Sequence, residues 1–241
     1  MTYCVGIMLD TGLVFTSDSR THAGADDFAR FCKMTVFECA GDRGIVLLSS
    51  GNLAGTQAVI SLLKQRNANN GVPNLWGAKS MFNAAMLVSD AMRDVDQRDG
   101  QHLAASNVRF NASFILGGQI ACEPPRLFRI YTPGNFIEAS LETPYFQTGE
   151  TKYGKPIIDR VITRSTSLND AAKCVLVSFD STMCSNLSVG MPIDLICYQR
   201  DSFEVRMRRR FDEDDPYFSS LGKQWTEGTR QVFSRLPNLD W

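Results

Sequence analysis

The sequence predicts an α+β protein built as a four-layer αββα sandwich. Three observations carry that expectation. The opening strands are apolar on both faces, and helical patterns arrive in pairs between groups of strands. No linker, low-complexity run or internal repeat divides the 241 residues. One domain is expected over residues 1–241, with a C-terminal extension over about 211–241.

The elements follow in order. Tyr3–Leu9 and Leu13–Ser19 are β-prone runs joined by Asp10-Thr11-Gly12, which is turn chemistry for a hairpin. Val5, Ile7 and Leu9 alternate with Cys4, Gly6 and Met8, so neither face is polar and the pair belongs inside the structure. A loop from Arg20 to Arg30, containing Gly24, leads to a second hairpin, Met34–Glu38 and Gly44–Ser49. Ser50-Gly51-Asn52 opens a helix from about Leu53 to Arg66, with Leu53, Ala58, Val59, Leu62 and Leu63 on its apolar stripe. A second helix covers about Lys79–Arg98, with Phe82, Ala85, Met86, Ser89 and Met92 facing inward. Ser113–Gln119 and Arg126–Thr132 form a strand pair, which Phe136–Ala139 and Tyr145–Thr148 continue. Two helices come next, about Tyr153–Thr163 and one starting after Ser167, an N-cap with Asp170 three residues on. The last strands are Ile193–Gln199 and Phe203–Arg210, and the segment from Pro216 to Trp241 reads as partly helical.

Composition excludes several classes. Apolar residues make up 44% of the chain, enough for a substantial core and against disorder. The net charge of −1 argues against a nucleic-acid binder. Arg206, Arg208, Arg209 and Arg210 form the one basic cluster, and Asp212, Glu213, Asp214 and Asp215 cancel it, so a solvated strand edge is expected. Seven cysteines, an odd count without a CxxC, suit a reducing compartment and small-hydrophobe roles, Cys4 and Cys32 included. With only His22 and His102 to help, no metal or other cofactor is expected. The N-terminus lacks a basic n-region and no run reaches membrane-span length, so a cytoplasmic protein without a membrane partner is expected.

Thr2 carries the chemical interest. Removal of Met1 would leave Thr2 at the start of a buried hairpin, whereas most termini fray. An N-terminal Thr carries its own base, because its free α-amine can take the hydroxyl proton directly or through water. That chemistry needs a nearby cation and a carboxylate to hold it. Asp18 sits in an otherwise apolar strand, opposite residues 3 and 4 in a tight hairpin, and Lys33 lies just before an apolar strand. Two readings remain open from spacing alone: a catalytic Thr2–Asp18–Lys33 group, or a strand-end ion pair and a solvated flank.

Thr2-Tyr-Cys-Val-Gly6, Asp10-Thr-Gly12 through Asp18-Ser-Arg20 to Gly24, Lys33, Ser50-Gly51 and Gln147-Thr148-Gly149-Glu150 together resemble a proteasome β-type subunit. The long C-terminal segment resembles the bacterial branch known as Anbu, the ancestral β subunit. The resemblance implies the N-terminal-nucleophile hydrolase fold and a threonine-type peptide or amide hydrolase. In it Thr2 is the nucleophile, Asp18 orients Lys33, and Lys33 lowers the proton affinity of Thr2. The Gly51 N–H matches the oxyanion donor, and Thr148 and Ser185 match supporting hydroxyls. Thr21, Phe31 and Leu53 fall where such subunits line a specificity pocket. It also implies self-assembly into a ring or open spiral, a polypeptide substrate and the possibility of an unfoldase partner. One position departs: the family's Asp, three residues before Ser185, is here Thr182, with Asp180 as a possible substitute. A catalytically silent structural subunit and a small-molecule amidase or acylase of the same fold are the competing expectations.

Overall fold

The computed structural model describes residues 1–22 and 28–241, so Gly24 lies outside the described residues. In chain order its elements are β1 (Tyr3–Leu9), β2 (Gly12–Asp18), β3 (Arg20–His22), β4 (Phe28–Arg30), β5 (Met34–Cys39), β6 (Arg43–Gly51), α1 (Leu53–Asn67) and α2 (Met81–Ala105). They continue with β7 (Ala112–Ile120), β8 (Arg126–Ile130), β9 (Phe136–Glu138), β10 (Tyr145–Gly149), α3 (Lys155–Val161), α4 (Leu168–Ser185), β11 (Ile193–Gln199), β12 (Met207–Phe211) and α5 (Pro216–Ser234).

Two antiparallel five-stranded sheets, ordered β10-β1-β2-β11-β12 and β5-β6-β7-β8-β9, pack face to face. Cys4, Phe15, Val46, Leu48, Ile115 and Tyr198 fill the space between them. Each such side chain withdrawn from water contributes about 1.5–3 kcal/mol of transfer free energy. Helices α1 and α2 cover the second sheet, and α4, with α3 and α5 against it, covers the first. The expected αββα sandwich is therefore the observed architecture. It follows from strands such as β1 and β2, buried along their whole length because a layer lies on each side.

Four local expectations change. Tyr145–Gly149 does not continue the β7–β8 pair; it crosses to the other sheet and pairs with β1, Tyr3 opposite Gly149 and Ile7 opposite Tyr145. Strand pattern specifies a half-buried ribbon but not which sheet receives it. In α2 the buried face is Met81, Ala84, Ala85, Val88, Ala91 and Met92, while Phe82 and Met86 point outward. The alanines let the helix approach the sheet closely, and Phe82 packs edge-on against Phe136 with ring centroids 5.2 Å apart. The final strand starts at Met207, after Asp201 and Phe203 take φ of 62° and 50°, values an extended ladder excludes. Cys32 is exposed, because it lies in the connection before β5; its Sγ lies 3.1 Å from the Met34 carbonyl.

Arg208, Arg209 and Arg210 of the basic cluster fall on the edge strand β12, with Arg209 paired to Asp215 and Arg210 to Asp194, and Arg206 lies just before it, paired to Glu204. No helix among the described residues is long and apolar enough to cross a membrane.

Candidate active site

The hairpin β1–β2 sets the first contact. Its register pairs Cys4 with Ser17, so the next position outward brings Asp18 beside Tyr3, and the Tyr3 N–H donates to Asp18 Oδ1 at 3.0 Å. Lys33 Nζ donates to the same oxygen at 2.7 Å and to the Arg20 carbonyl at 2.6 Å. Side-chain exposure is 6% for Lys33 and 0% for Asp18, so this is a buried ion pair rather than a surface one. The Ser49 N–H donates to the Lys33 carbonyl at 2.9 Å, which ties the lysine to β6.

Thr2 is held from the other side. The Glu150 N–H, just past β10, donates to the Thr2 carbonyl at 2.7 Å. The preceding residue must be glycine: Gly149 has φ 87°, and a Cβ there would stand 1.8 Å from the Thr2 oxygen. The start of the chain is thus clamped between β2 and β10 rather than frayed.

A cleft of about 110 Å³ opens at this point, lined by Thr2, Thr21, Lys33, Ser50, Gly51 and Leu53, among others. Gly51 turns the chain from β6 into α1 with φ 109°, and a Cβ there would meet the Asn111 carbonyl oxygen at 2.0 Å. Asn52 then caps α1, its side chain accepting from the Gly55 N–H at 3.1 Å. The cleft floor is therefore the amino end of a helix, which favours negative charge.

Burial pushes the Asp18 carboxyl above the usual carboxylate range, against the opposing pull of Lys33 and the Tyr3 N–H. Asp18 Oδ2 finds no donor among the described residues, so nothing offsets its burial there. Burial, then the charge of Lys33, lowers the terminal amine of Met1, one residue before Thr2, below its ordinary value, while Asp18 and Glu150 oppose that shift. A hydroxyl, a buried ammonium and a helix amino end share one small cleft, the components that nucleophilic attack on a carbonyl requires.

Solved structures similar to this one decide the family. Anbu from Yersinia bercovieri is 48% identical over 99% of both chains, with a TM-score of 0.93. A structure described as a helical assembly of the Anbu complex from Pseudomonas aeruginosa is 48% identical over 99% of this chain and 98% of that one, with a TM-score of 0.95. An Anbu (Gly-1) mutant from Hyphomicrobium sp. strain MC1 is 49% identical over the full length of both, with a TM-score of 0.94. The chain belongs to the Anbu family. No protein-family model and no curated protein matches it.

Within this Anbu chain several expected residues lie elsewhere. Thr148 does not line the cleft; its hydroxyl is 2.6 Å from that of Ser50 and 3.4 Å from that of Ser113, a buried cluster between the sheets. Ser185 is exposed at the last residue of α4 and does not line the cleft. Thr182 is buried and donates to the Ser178 carbonyl one turn back at 2.7 Å, so that position supplies no carboxylate. Asp180 cannot substitute, because two residues along a helix is a rotation of about 200°. It faces α5 instead, in a groove with Ser219, Gly222 and Lys223. Phe31 is 37% exposed and outside the cleft lining, its N–H spent on the Ser19 carbonyl at 2.9 Å, whereas Thr21 and Leu53 do line it.

Sequence reasoning missed Glu150. It is only 8% exposed, its backbone holds Thr2, and its Oε2 accepts from Asn186 Nδ2 at 2.9 Å. The signal was an acid directly after the Thr148-Gly149 pair at the end of an apolar strand.

Proposed function

We propose that this Anbu chain is a threonine-type hydrolase of peptide or related amide bonds, with Thr2 as nucleophile once Met1 is removed. The buried Asp18–Lys33 pair at 2.7 Å, placed beside the clamped Thr2, carries the reading. Such a pair is costly to bury, and packed apolar residues would hold the same strands at no such cost. In the reaction the Thr2 hydroxyl gives its proton to its own α-amine while Oγ1 bonds to the substrate carbonyl carbon. The carbonyl electron pair moves onto oxygen, where the Gly51 N–H and the amino end of α1 offset the charge. Collapse breaks the C–N bond, the leaving amine takes the proton from the ammonium, and water then attacks the acyl ester with the amine as base.

Self-assembly belongs to the same reading, since the Pseudomonas aeruginosa relative is described as a helical assembly. The missing carboxylate at Thr182 favours a second reading, a structural subunit without activity. A single experiment separates the two. Intact mass is taken before and after a peptide epoxyketone, which captures both the hydroxyl and the free α-amine of an N-terminal Thr. One adduct on chain lacking Met1, abolished by Thr2→Ala, is the expected result. A chain lacking Met1 that gains no adduct from a panel of differing epoxyketones would move the structural subunit to the front.

A further inference from the structure

The resemblance to proteasome β subunits implies a carboxylate three residues before Ser185; that position is Thr182 here, and its hydroxyl is turned back onto its own helix. The amine of an N-terminal Thr would then face Lys33 with Asp18 already engaged by that lysine. A cation beside an amine favours the neutral form, which makes the amine available but weak as a base. A second carboxylate close by would restore basicity.

We propose that Glu150, oriented by Asn186, is that carboxylate: a positioning residue that holds the Thr2 amine and stabilises the ammonium formed when it takes the hydroxyl proton. Three observations meet on it. Its own N–H clasps the Thr2 carbonyl at 2.7 Å, so its Cα is fixed within one peptide of the nucleophile. Its side chain is buried, which a glutamate accepts only when something holds or uses its charge. Among the described residues its side-chain donor is neutral, Asn186 Nδ2 at 2.9 Å, so Asn186 orients the carboxylate and leaves its charge for another group.

Asn186 is well placed for the task. It is the C-cap of α4, and its Oδ1 also accepts from the Ser188 N–H at 2.9 Å, so both ends of its amide are used. A carboxylate after β10 thus takes the place of the one the proteasome β resemblance implies on α4, with α4 contributing the amide that aims it. The charged groups that act on the neighbouring Met1 amine are Lys33 from the segment before β5, Asp18 from β2 and Glu150 after β10. The Arg20 guanidinium packs on Gly190 and donates to the Leu187 carbonyl at 3.2 Å, close to Asn186 in sequence. The electrostatics agree in direction, since at Met1, one residue before Thr2, Glu150 raises the proton affinity of the amine and Lys33 lowers it.

The proposal rests on Thr2 being the N-terminal residue, and its test reads the amine separately from the reaction. Full-length chain is released from an N-terminal fusion cleaved immediately before Thr2. Trace acetic anhydride then labels the α-amine across a pH series, and mass spectrometry of the N-terminal peptide gives its titration midpoint. The epoxyketone adduct rate is measured over the same series. Glu150→Gln keeps a hydrogen-bond acceptor for Asn186 but removes the charge. It should lower the amine midpoint by roughly 1 unit. The acidic limb of the adduct rate should move down with it and the plateau rate should fall. Glu150→Asp keeps the charge and should restore most of the midpoint shift, and Asn186→Ala, which frees the carboxylate, should give a smaller shift of the same sign. If Glu150→Gln folds and assembles as the parent does yet leaves the midpoint unchanged, Glu150 is a structural clamp and the proposal falls. If Glu150→Gln does not fold, Asn186→Ala decides, and an unmoved midpoint there overturns it. A parent chain that forms no adduct, but whose amine midpoint responds to Glu150→Gln, would defeat the hydrolase reading while leaving this inference standing.

Discussion

Two buried aspartates stand one residue apart in register on neighbouring strands, and they are held in opposite ways. Asp18 on β2 pairs across the sheet with Ile193, and Asp194 on β11 pairs with Ser17. Asp194 is satisfied: Arg210 grips it with two bonds at 2.9 and 2.8 Å, and the Ser19 hydroxyl adds a third at 3.1 Å. Its cation is half-exposed, so water shares the charge. Asp18 has a cation buried as deeply as itself, and its second oxygen has no donor among the described residues. The first arrangement staples an edge strand. The second holds charge where it is costly, beside the chain's first residues. Burial and residue type are alike in both; the count of donors and the access of water to the cation separate the pair that staples the sheet from the pair on which the proposed reaction rests.

The largest expected effect comes from breaking the costly pair. Lys33→Met should lower the epoxyketone adduct rate by at least about 100-fold, the scale of a lost general-catalysis or charge-stabilising group. It should also cost about 3–5 kcal/mol of stability, because Asp18 is left as an uncompensated buried charge. Denaturant unfolding beside the adduct assay checks both. A stable Lys33→Met chain that still reacts at the parent rate would make the pair structural after all.

The next effect is in pH. Because burial raises the Asp18 carboxyl, the native chain holds a proton there at pH values where the unfolded chain has released it. Stability from this one group therefore rises as pH falls through its folded value, and falls as pH climbs from the unfolded carboxylate value to that folded one. Reactivity runs the other way, since a neutral Asp18 no longer orients Lys33. Comparing the parent with Asp18→Asn across pH isolates the group. Acidification should shift the stability difference in favour of the parent while the parent's adduct rate drops. If both rise or both fall together, Asp18 is not the group that titrates.

The same contrast explains what could be read without coordinates. The hairpin of β1 and β2 was legible because period-2 strands joined by Asp10-Thr11-Gly12 fix a register, and register alone carries residue 18 to residue 3. Lys33 and Gly51 were legible as charged and flexible residues at strand ends. The sheet that receives β10 was not, since local pattern carries no information about which edge is free. Asp180 does not stand in for Thr182 because positions two apart on α4 face opposite sides of the helix, which sequence spacing alone does not show. Phe31 was placed by the resemblance alone, and in a connection it has no periodicity to orient it. Glu150 escaped because its role depends on the Thr2 carbonyl and the Asn186 amide, and 148 and 36 residues of chain separate it from those partners.

The smallest expected effect falls on the satisfied pair and completes the comparison. Arg210→Met removes two charge-assisted bonds to Asp194, but its guanidinium is half in water and Ser19 still donates to the carboxylate. After solvent screening the loss of stability should be about 1 kcal/mol or less. The adduct rate should stay within about twofold of the parent, because no residue of β12 lines the cleft. A large fall in reactivity without a matching loss of stability would mean that the two aspartates are coupled across β2 and β11. The distinction between a staple and a catalytic pair would then have to be drawn at the level of the sheet rather than of the side chain.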